Sequence, residues 1–463
     1  MGVGFSANQL YLVPIPIMMK LLFFAIAFSC CTFFVFGQSA PVGQTTVTEW
    51  QYDKNGALSI TYDDGSYNQF KDALPIMEKL HLPATFFVIT GGIPGSKYHG
   101  KFIGRPVKNI IAETATVPTN DQNFLERCSA AGYLGYKGTI TYVTKAAGMY
   151  DNPRRKAQAY QLMDSLYRKV RSGDFQPGYQ PCDEYLQEKG STWDDFRRDA
   201  KLGYEFASHS ITHASMPGLD SVNIAYELEK SKEEMRKQMG EQYTFSTEVP
   251  YGYENERVMQ IAYKIYPALR NRMPEPWLTE LDRPGKKTPA VNDKDYVQWQ
   301  RECNTHVPLP LMKSWVDTTV TRKDTWLVLV IHGVDHLGYE ALSDTLLNEY
   351  FHYIKARQNN LWIATFGEVT KYMREREAAT VTSNIVGVKI IVTVNHSLDK
   401  SMYYIPLTLK TYVSTGWKKA TIRQGNHLEH ADVLHDDKGS YIIYKAKPGK
   451  EQIDLSQHFA SRT

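Results

Sequence analysis

The sequence contains few cysteines. Only five of its 463 residues are cysteines, and two of them, Cys30 and Cys31, lie in an apolar N-terminal stretch. The other three, Cys128, Cys182 and Cys303, allow at most one disulfide, which excludes a small fold held together by disulfides. No CxxC pair is present, so any zinc site in this chain is not built from thiolates.

The sequence also has almost no net charge. A formal net charge of +3 gives no basic surface for nucleic acid or for an anionic membrane. With 42% hydrophobic and 22% charged residues the composition is that of a globular protein, and the length allows two or three domains. The 30 tyrosines and eight tryptophans are either core residues or surfaces for stacking on sugar rings.

The N-terminal residues 1–37 have the pattern of a secretory signal peptide. A basic residue precedes an apolar run, and small residues precede a polar segment that begins after Gly37. Because the pattern starts near Met19, residues 1–17 are candidates for an extension that is not made. We expect an exported chain, periplasmic or extracellular, without a stable membrane span after cleavage. A retained anchor, or a lipid attached at Cys30, is the alternative.

Two stretches far apart in the sequence carry the first chemical signals. Residues 59–65 form an apolar run, typical of a buried strand, that ends in Asp63, Asp64 and a glycine. A solvated Asp-Gly turn is the ordinary interpretation of such a stretch. However, His209 and His213 follow a second strand-like segment, and two neutral histidines at this spacing can bind one metal ion.

Strand-like and helix-like segments alternate over residues 57–375. This alternation predicts a parallel sheet with helices outside it, and it places Asp63 and Asp64 at the C-terminal ends of the strands, where such folds have their sites. Residues from about 91 to 190 interrupt the alternation. This insertion shows one amphipathic helix, Arg155 to Val170, and either shapes a substrate cleft or is an inert addition.

The pattern of the sequence changes near residue 380. From there to residue 463, short segments of alternating apolar and polar residues are separated by turns and predict a small β-sandwich-like domain without helices. The predicted organisation is a signal peptide, a catalytic domain at 38–379 with its insertion, and this all-β domain at 380–463. Both a carbohydrate-binding and a structural role are open for the last domain.

The stretch Thr61–Gly65, of the form T-Y-D-D-G, and the H-S-x-x-H pattern of His209 and His213 resemble two motifs of the polysaccharide deacetylase family. The family is also called the NodB homology domain or carbohydrate esterase family 4. The resemblance implies a distorted (β/α) barrel and a metal-dependent hydrolase that removes acetyl groups from a glycan, either an N-acetyl amino sugar or an O-acetylated chain. It also implies that Asp64 and both histidines bind a divalent ion, expected to be Zn²⁺, and that Asp63 is the general base.

The third motif of the family is matched in part. Pro250 and Tyr251 fit it as substrate-binding residues, and the resemblance implies that the Tyr251 N–H stabilises the oxyanion. Glu248 replaces the arginine that pairs with the catalytic aspartate in the family, and a glutamate there would repel that aspartate and raise its pKa. Three outcomes are open: another cation substitutes, for which Arg270 and Arg272 are candidates, Glu248 turns away, or catalysis is weakened.

The later motifs place a histidine and a tryptophan in the site. His332 follows an apolar strand, and the resemblance implies that it is the general acid; Asp335 and His336 behind it are its partners or surface residues. Trp315 is either the tryptophan of the substrate pocket or a core residue. The expected partner is an acetylated glycan. A glycan-binding protein with a degenerate site is the alternative function, but a retained base and acid favour an enzyme.

Overall fold

The computed structural model describes most of the chain, namely residues 39–178, 190–252, 255–270, 281–282 and 298–459. The expected signal peptide at 1–37 lies outside these residues, as do Cys182 and Arg272. Cys128 and Cys303 are free, buried thiols. The chain from Ala40 onward forms one compact unit. Within the described part, no helix combines the length and the apolar character that a membrane crossing requires.

Among the described residues, strands and helices alternate up to residue 378, and further strands follow. The strands are β1 (Thr45–Val47), β2 (Gly56–Tyr62), β3 (Ala84–Val88), β4 (Glu205–Ser208), β5 (Ser246–Thr247), β6 (Ala268–Leu269), β7 (Leu281–Asp282), β8 (Gln298–Glu302), β9 (Trp326–Ile331), β10 (Leu361–Ile363), β11 (Thr380–Val386), β12 (Lys389–Asn395), β13 (Leu407–Tyr412), β14 (Lys419–Gln424), β15 (His427–Asp432), β16 (Leu434–Asp436), β17 (Gly439–Ala446) and β18 (Ile453–Gln457). The α-helices are α1 (Leu74–Leu80), α2 (Val107–Glu113), α3 (Phe124–Ala131), α4 (Thr139–Tyr150), α5 (Lys156–Ser172), α6 (Trp193–Ala200), α7 (Ser221–Gln238), α8 (Glu256–Ile265), α9 (Leu309–Arg322), α10 (Asp344–Lys355) and α11 (Phe366–Ala378).

Strand β2 is the centre of a curled sheet of nine parallel strands. Every residue of β2 is buried, as expected for a parallel strand that is covered on both faces. Its first half pairs with β10 and its second half with β3, while β9 pairs along the other edge. The order continues through β4, β5 and β6 on the β3 side, and through β8 and β7 on the β9 side. This sheet, with its helices and the antiparallel strands that follow, confirms the predicted fold class.

Local capping signals determine where two helices around the sheet begin. The Thr192 hydroxyl accepts the N–H of Asp195, and the Asp195 carboxylate accepts the N–H of Thr192, which forms a capping box at the start of α6. Thr365 and Glu368 make the same reciprocal pair at the start of α11.

Strand β5 is short. Only Ser246–Thr247 pairs, with β4 on one side and β6 on the other, and a 3-10 turn occupies Glu241–Tyr243. Pro250 lacks the N–H that a longer strand would use, so the chain leaves the sheet here and turns into the site.

In its described residues the insertion contains four helices, α2 to α5, of which the sequence predicts only the last. The predicted helix over 155–170 corresponds to α5 at Lys156–Ser172. The other three are short, and much of what they bury is small, so their apolar stripes are weak in the sequence. Together the four helices enclose their own cluster, which includes Ile110, Phe124, Cys128, Ala130, Val143, Ala146, Met163 and Leu166.

Two antiparallel sheets make up the all-β region. Their strand orders are β1-β13-β17-β16 and β11-β12-β18-β14-β15. Strand β1 precedes the barrel in the sequence and yet pairs with β13, with Thr46 opposite Lys410. The sequence does not indicate β11, β15 and β16, because these edge strands are largely exposed. The predicted domain boundary between residues 379 and 380 stays a prediction.

The barrel and the all-β region share an apolar cluster. Trp326 and Phe366 of the barrel lie in the same buried cluster as Leu407 and Ile442 of the antiparallel sheets, and Trp50 joins them from the segment between β1 and β2. Because these side chains remove one another from water, each region stabilises the other.

The substitution Leu407→Ala is expected to destabilise the whole chain. Leu407 is fully buried in the shared cluster, and truncation of a buried leucine lowers the free energy of unfolding by about 2–5 kcal/mol. Calorimetry should show one unfolding transition that moves to a lower temperature. Leu428→Ala is the control, because Leu428 is 47% exposed and should change stability by less than about 0.5 kcal/mol. Two separate transitions, only one of them shifted, would contradict the shared core.

Candidate active site

Titratable side chains gather at the C-terminal ends of the parallel strands. This is the edge of a barrel where loops from neighbouring strands converge, so residues distant in sequence meet there. The strand ends contribute Asp63 and Asp64 after β2, His209 after β4, Glu248 after β5, Arg270 after β6, Glu302 at the end of β8 and His332 after β9. The two aspartates lie where the strand pattern placed them.

Asp64, His209 and His213 form a compact group of potential metal ligands. Asp64 Oδ1 lies 3.2 Å from His213 Nε2 and 3.6 Å from His209 Nε2. One ligand atom from each residue lies within 4.8 Å of the others. Around a four-coordinate zinc ion with bonds of about 2.0–2.1 Å, ligand atoms are about 3.4 Å apart. The three residues therefore have the spacing of a metal site that leaves a fourth position for water or substrate.

The ring of His209 is oriented as a metal ligand. Its Nδ1 lies 2.9 Å from the carbonyl oxygen of Glu248, so the proton belongs on Nδ1 and the Nε2 lone pair faces Asp64. The Glu248 backbone thus fixes the tautomer of a ligand on the neighbouring strand.

The charges of this group are uncompensated by the described side chains. Asp64 Oδ1 is buried and accepts no hydrogen bond from the described residues. Burial raises the pKa of Asp64 to about 6 and lowers the pKa of His209 to about 4. Burial also holds the pKa of His213 well below its usual value. Two neutral imidazoles and one carboxylate without a partner are a donor set that fits a divalent cation.

Several residues of the site have a left-handed backbone although they are not glycine. The φ angles are 74° at Asp64, 65° at Ser210, 55° at His213 and 62° at Tyr251. Such conformations are costly and persist only where surrounding contacts hold them. One such contact is the Ser210 hydroxyl, which accepts the N–H of His213 at 3.0 Å.

Arg270 takes the place of the missing family arginine. Its Nη2 lies 2.5 Å from Asp63 Oδ2, and its Nε lies 3.2 Å from Glu248 Oε2. A further hydrogen bond runs from Nη1 to the Thr61 hydroxyl at 2.6 Å. Burial raises the pKa of Asp63, but the charges of Arg270 and of nearby histidines hold it below its usual value. The structure therefore has the first of the three outcomes that were open for Glu248: another cation, Arg270, substitutes for the family arginine.

His332 lies beside Asp63. Its Nε2 is 3.4 Å from Asp63 Oδ2, and its Nδ1 is 3.9 Å from Glu302 Oε1. The Gln69 amide donates hydrogen bonds to the backbone carbonyls of both Asp63 and His332, which ties the two loops together. Neither Glu302 nor Gln69 is predicted from the sequence. Glu302 ends a polar strand, Gln298–Glu302, that lacks the apolar run by which the other site strands are recognised.

The structure brings Tyr251 to the metal group but places Trp315 in the core. Pro250 is buried, and the half-exposed Tyr251 ring lies 4.5 Å from the His213 ring, centroid to centroid. Trp315 lies on α9 within the main buried cluster, which is the core alternative for this residue. Their roles in substrate binding stay predictions.

The two residues behind His332 have different surroundings. Asp335 accepts the N–H of Asp344 at 2.9 Å, at the start of α10. His336 is exposed, as the surface alternative has it.

A family model described as polysaccharide deacetylase matches residues 50–113 and 173–265. The matched residues include both aspartates, both metal-site histidines and the third motif, whereas His332 follows them. The match confirms the resemblance to the polysaccharide deacetylase family, which the sequence motifs indicate.

Several known proteins are similar to this chain. A gellan lyase from a Bacillus species is 21% identical over 282 residues, which are 58% of this chain and 11% of that protein; the chain thus spans about a tenth of that relative. A Streptococcus pyogenes deacetylase in complex with acetate has 16% identity and a TM-score of 0.23, covering 44% of this chain and 50% of its own. A Bacillus anthracis family 4 carbohydrate esterase has 11% identity and a TM-score of 0.31, covering 71% and 86%.

The substitution His213→Ala is expected to remove the binding of a divalent ion. The variant lacks one of three ligands, so the ion would be held by Asp64 and His209 alone. Metal analysis after dialysis, and calorimetric titration with Zn²⁺, should detect about one ion per chain in the wild type and little in the variant. His336→Ala is the control, because this histidine is exposed on another loop. Equal binding by the wild type and His213→Ala would contradict the site.

Proposed function

We propose that the chain is a divalent-metal-dependent deacetylase that removes acetyl groups from a glycan. One observation carries the proposal: a candidate base and a candidate acid, Asp63 and His332, lie 3.4 Å apart beside a group of three metal ligands. The match to the polysaccharide deacetylase family supports it. Zn²⁺ is the expected ion, held by Asp64, His209 and His213. Such an ion supplies a Lewis acid that polarises the acetyl carbonyl and activates water.

Asp63 acts as the general base. Arg270 holds Asp63 Oδ2 at 2.5 Å and fixes the direction of the carboxylate. The other oxygen, Oδ1, is buried and has no hydrogen-bond partner among the described residues, so it is free to accept the proton of the attacking water.

His332 acts as the general acid for the departing amine or alcohol. Its Nε2 faces the base, and its Nδ1 has no hydrogen-bond partner in the described part of the chain. The Glu302 carboxylate lies 3.9 Å from Nδ1, and in the proposed role the ring gives its proton to the leaving group. The backbone N–H of Tyr251 stabilises the negative charge on the carbonyl oxygen.

The surface beside the site suits a sugar polymer. Tyr251 is 40% exposed, and Tyr339 is 60% exposed with its ring 5.3 Å from the His332 ring. Exposed aromatic rings on both sides of the reacting centre offer faces on which sugar rings stack. Either an N-acetyl amino sugar or an O-acetylated chain fits this surface. Export of the chain, to the periplasm or beyond, agrees with such a substrate.

The proposed function is tested by acetate release from a panel of acetylated glycans. Metal-loaded wild-type protein is incubated with acetylated chitooligosaccharides, peptidoglycan fragments and acetylated xylan, beside Asp63→Asn. The variant keeps the size of the side chain but lacks the base, so we expect the rate to fall about 100-fold or more.

The panel also separates an enzyme from a binding protein. If the protein holds its ion and binds one of these glycans but releases no acetate from any substrate, a non-catalytic glycan-binding function would replace the proposal. Release at equal rates by the wild type and Asp63→Asn would contradict the role of Asp63.

The substitution Arg270→Gln is expected to lower kcat by about 100-fold, because the general base loses the group that fixes it. The double variant Glu248→Arg with Arg270→Gln returns an arginine to the other strand and should recover about tenfold of this loss. Steady-state acetate release measures both effects. Arg198→Gln is the control, because its side chain is 63% exposed and lies on α6. Full activity of Arg270→Gln would contradict this pairing.

A further inference from the structure

Helix α7 buries a row of polar side chains beside its apolar ones. Asn223, Glu227, Ser231 and Glu234 recur at helical spacing, and each is buried. Glu227 and Glu234 have no exposed surface at all. A buried carboxylate is costly unless donors surround it, so these positions imply specific partners.

Glu227 binds the backbone of the loop that carries the two histidine ligands. Its Oε2 accepts the N–H of Ile211 at 3.0 Å and the N–H of Thr212 at 2.9 Å. Its Oε1 accepts the Thr212 hydroxyl at 2.8 Å. These residues lie between His209 and His213, so Glu227 holds the segment that connects the ligands.

The fourth donor to Glu227 comes from the insertion. Tyr133, just after α3, donates its hydroxyl to Glu227 Oε1 at 2.7 Å. The carboxylate thus joins the insertion to the histidine loop through a chain of short hydrogen bonds.

Two further contacts connect the insertion to the chain that follows the histidines. The Ser129 hydroxyl accepts the N–H of Asp220 at 2.9 Å. At Gly218, an added Cβ would lie 2.8 Å from Cys128 Sγ and 2.9 Å from Ala147 Cβ, so α3 and α4 approach this backbone closely enough to require glycine.

We propose that Glu227 and Tyr133 are positioning residues for the metal site, and that the insertion is a structural part of that site. They hold the Ile211 and Thr212 amides and thereby set the separation and direction of His209 and His213. Because both Ser210 and His213 have left-handed backbone, the loop does not reach this shape without such support. The inference rests on the metal site of the proposed function.

The test compares two pairs of variants by the affinity of the purified full chain for Zn²⁺ and by its visible spectrum with Co²⁺. Partners that orient ligands typically change metal affinity 10–100-fold, so Glu227→Gln should weaken Zn²⁺ binding about 10–100-fold and Tyr133→Phe about tenfold. Both should alter the Co²⁺ absorption bands, which report the ligand geometry.

The controls are the same two types of substitution at positions that do not contact the histidine loop. Glu234 is equally buried on the same helix, but its carboxylate accepts hydrogen bonds from the backbone N–H groups of Lys97 and Tyr98 and from the Gln238 side chain. Tyr160 donates to the Asp121 carboxylate at 2.5 Å, on the surface of the insertion. Glu234→Gln should therefore match Glu227→Gln in loss of thermal stability, and both Glu234→Gln and Tyr160→Phe should keep Zn²⁺ affinity within about twofold of the wild type.

Each possible result of this test either supports or overturns the inference. Unchanged affinity and spectra in Tyr133→Phe and Glu227→Gln, in a wild type that binds Zn²⁺, would overturn the inference and leave the proposed function standing. Equal losses of affinity in all four variants would also overturn it, because the effect would then follow stability. A wild type that binds no divalent ion would overturn the metal site and this inference with it. If Glu227→Gln does not fold, the comparison of Tyr133→Phe with Tyr160→Phe decides.

Discussion

Two carboxylates that follow one buried strand have to be matched by separate positive charges. Asp63 and Asp64 are adjacent, and their side chains are only 4% and 10% exposed. Asp63 meets the guanidinium of Arg270. Asp64 lies beside the imidazoles of His209 and His213, and burial raises its pKa. Under the proposed function, a divalent cation supplies the remaining charge and would lie beside Asp63 at this edge of the barrel.

The pairing of Asp63 shows that the position of a charge matters more than the residue that supplies it. The family arginine and Arg270 come from neighbouring strands, and a guanidinium is long enough to reach the same carboxylate from either. Glu248 then accepts Arg270 Nε instead of repelling Asp63. Two departures from the family pattern, a lost arginine and a gained glutamate, are thus one rearrangement of the same charges. The backbone carbonyl of Glu248 meanwhile fixes the tautomer of His209.

The sequence predicts those parts of the fold whose buried faces are apolar. Strands such as β2 and β9 and helices such as α5 and α10 show the expected period, and motifs at the strand ends identify the two aspartates and three histidines. Glu302 is not predicted, because its strand is polar. Strand β1 is not predicted either, because its three residues show no periodic pattern and pair with a strand far away in the sequence. The burial of the polar face of α7 is not predicted for a related reason. Periodicity indicates which side of a helix is apolar, but it does not indicate which polar residues are buried.

In the proposed arrangement, that hidden face gives the insertion between β3 and β4 a structural role. The positions of the proposed metal ligands depend on how rigidly their loop is held. The loop after β4 contains two residues with left-handed backbone. Its amides need acceptors, and one carboxylate accepts two of them while it also accepts Thr212 and Tyr133. A buried carboxylate with four donors is satisfied and rigid, whereas one without Tyr133 is short of a donor. The insertion therefore completes a hydrogen-bond network that begins at the metal ligands.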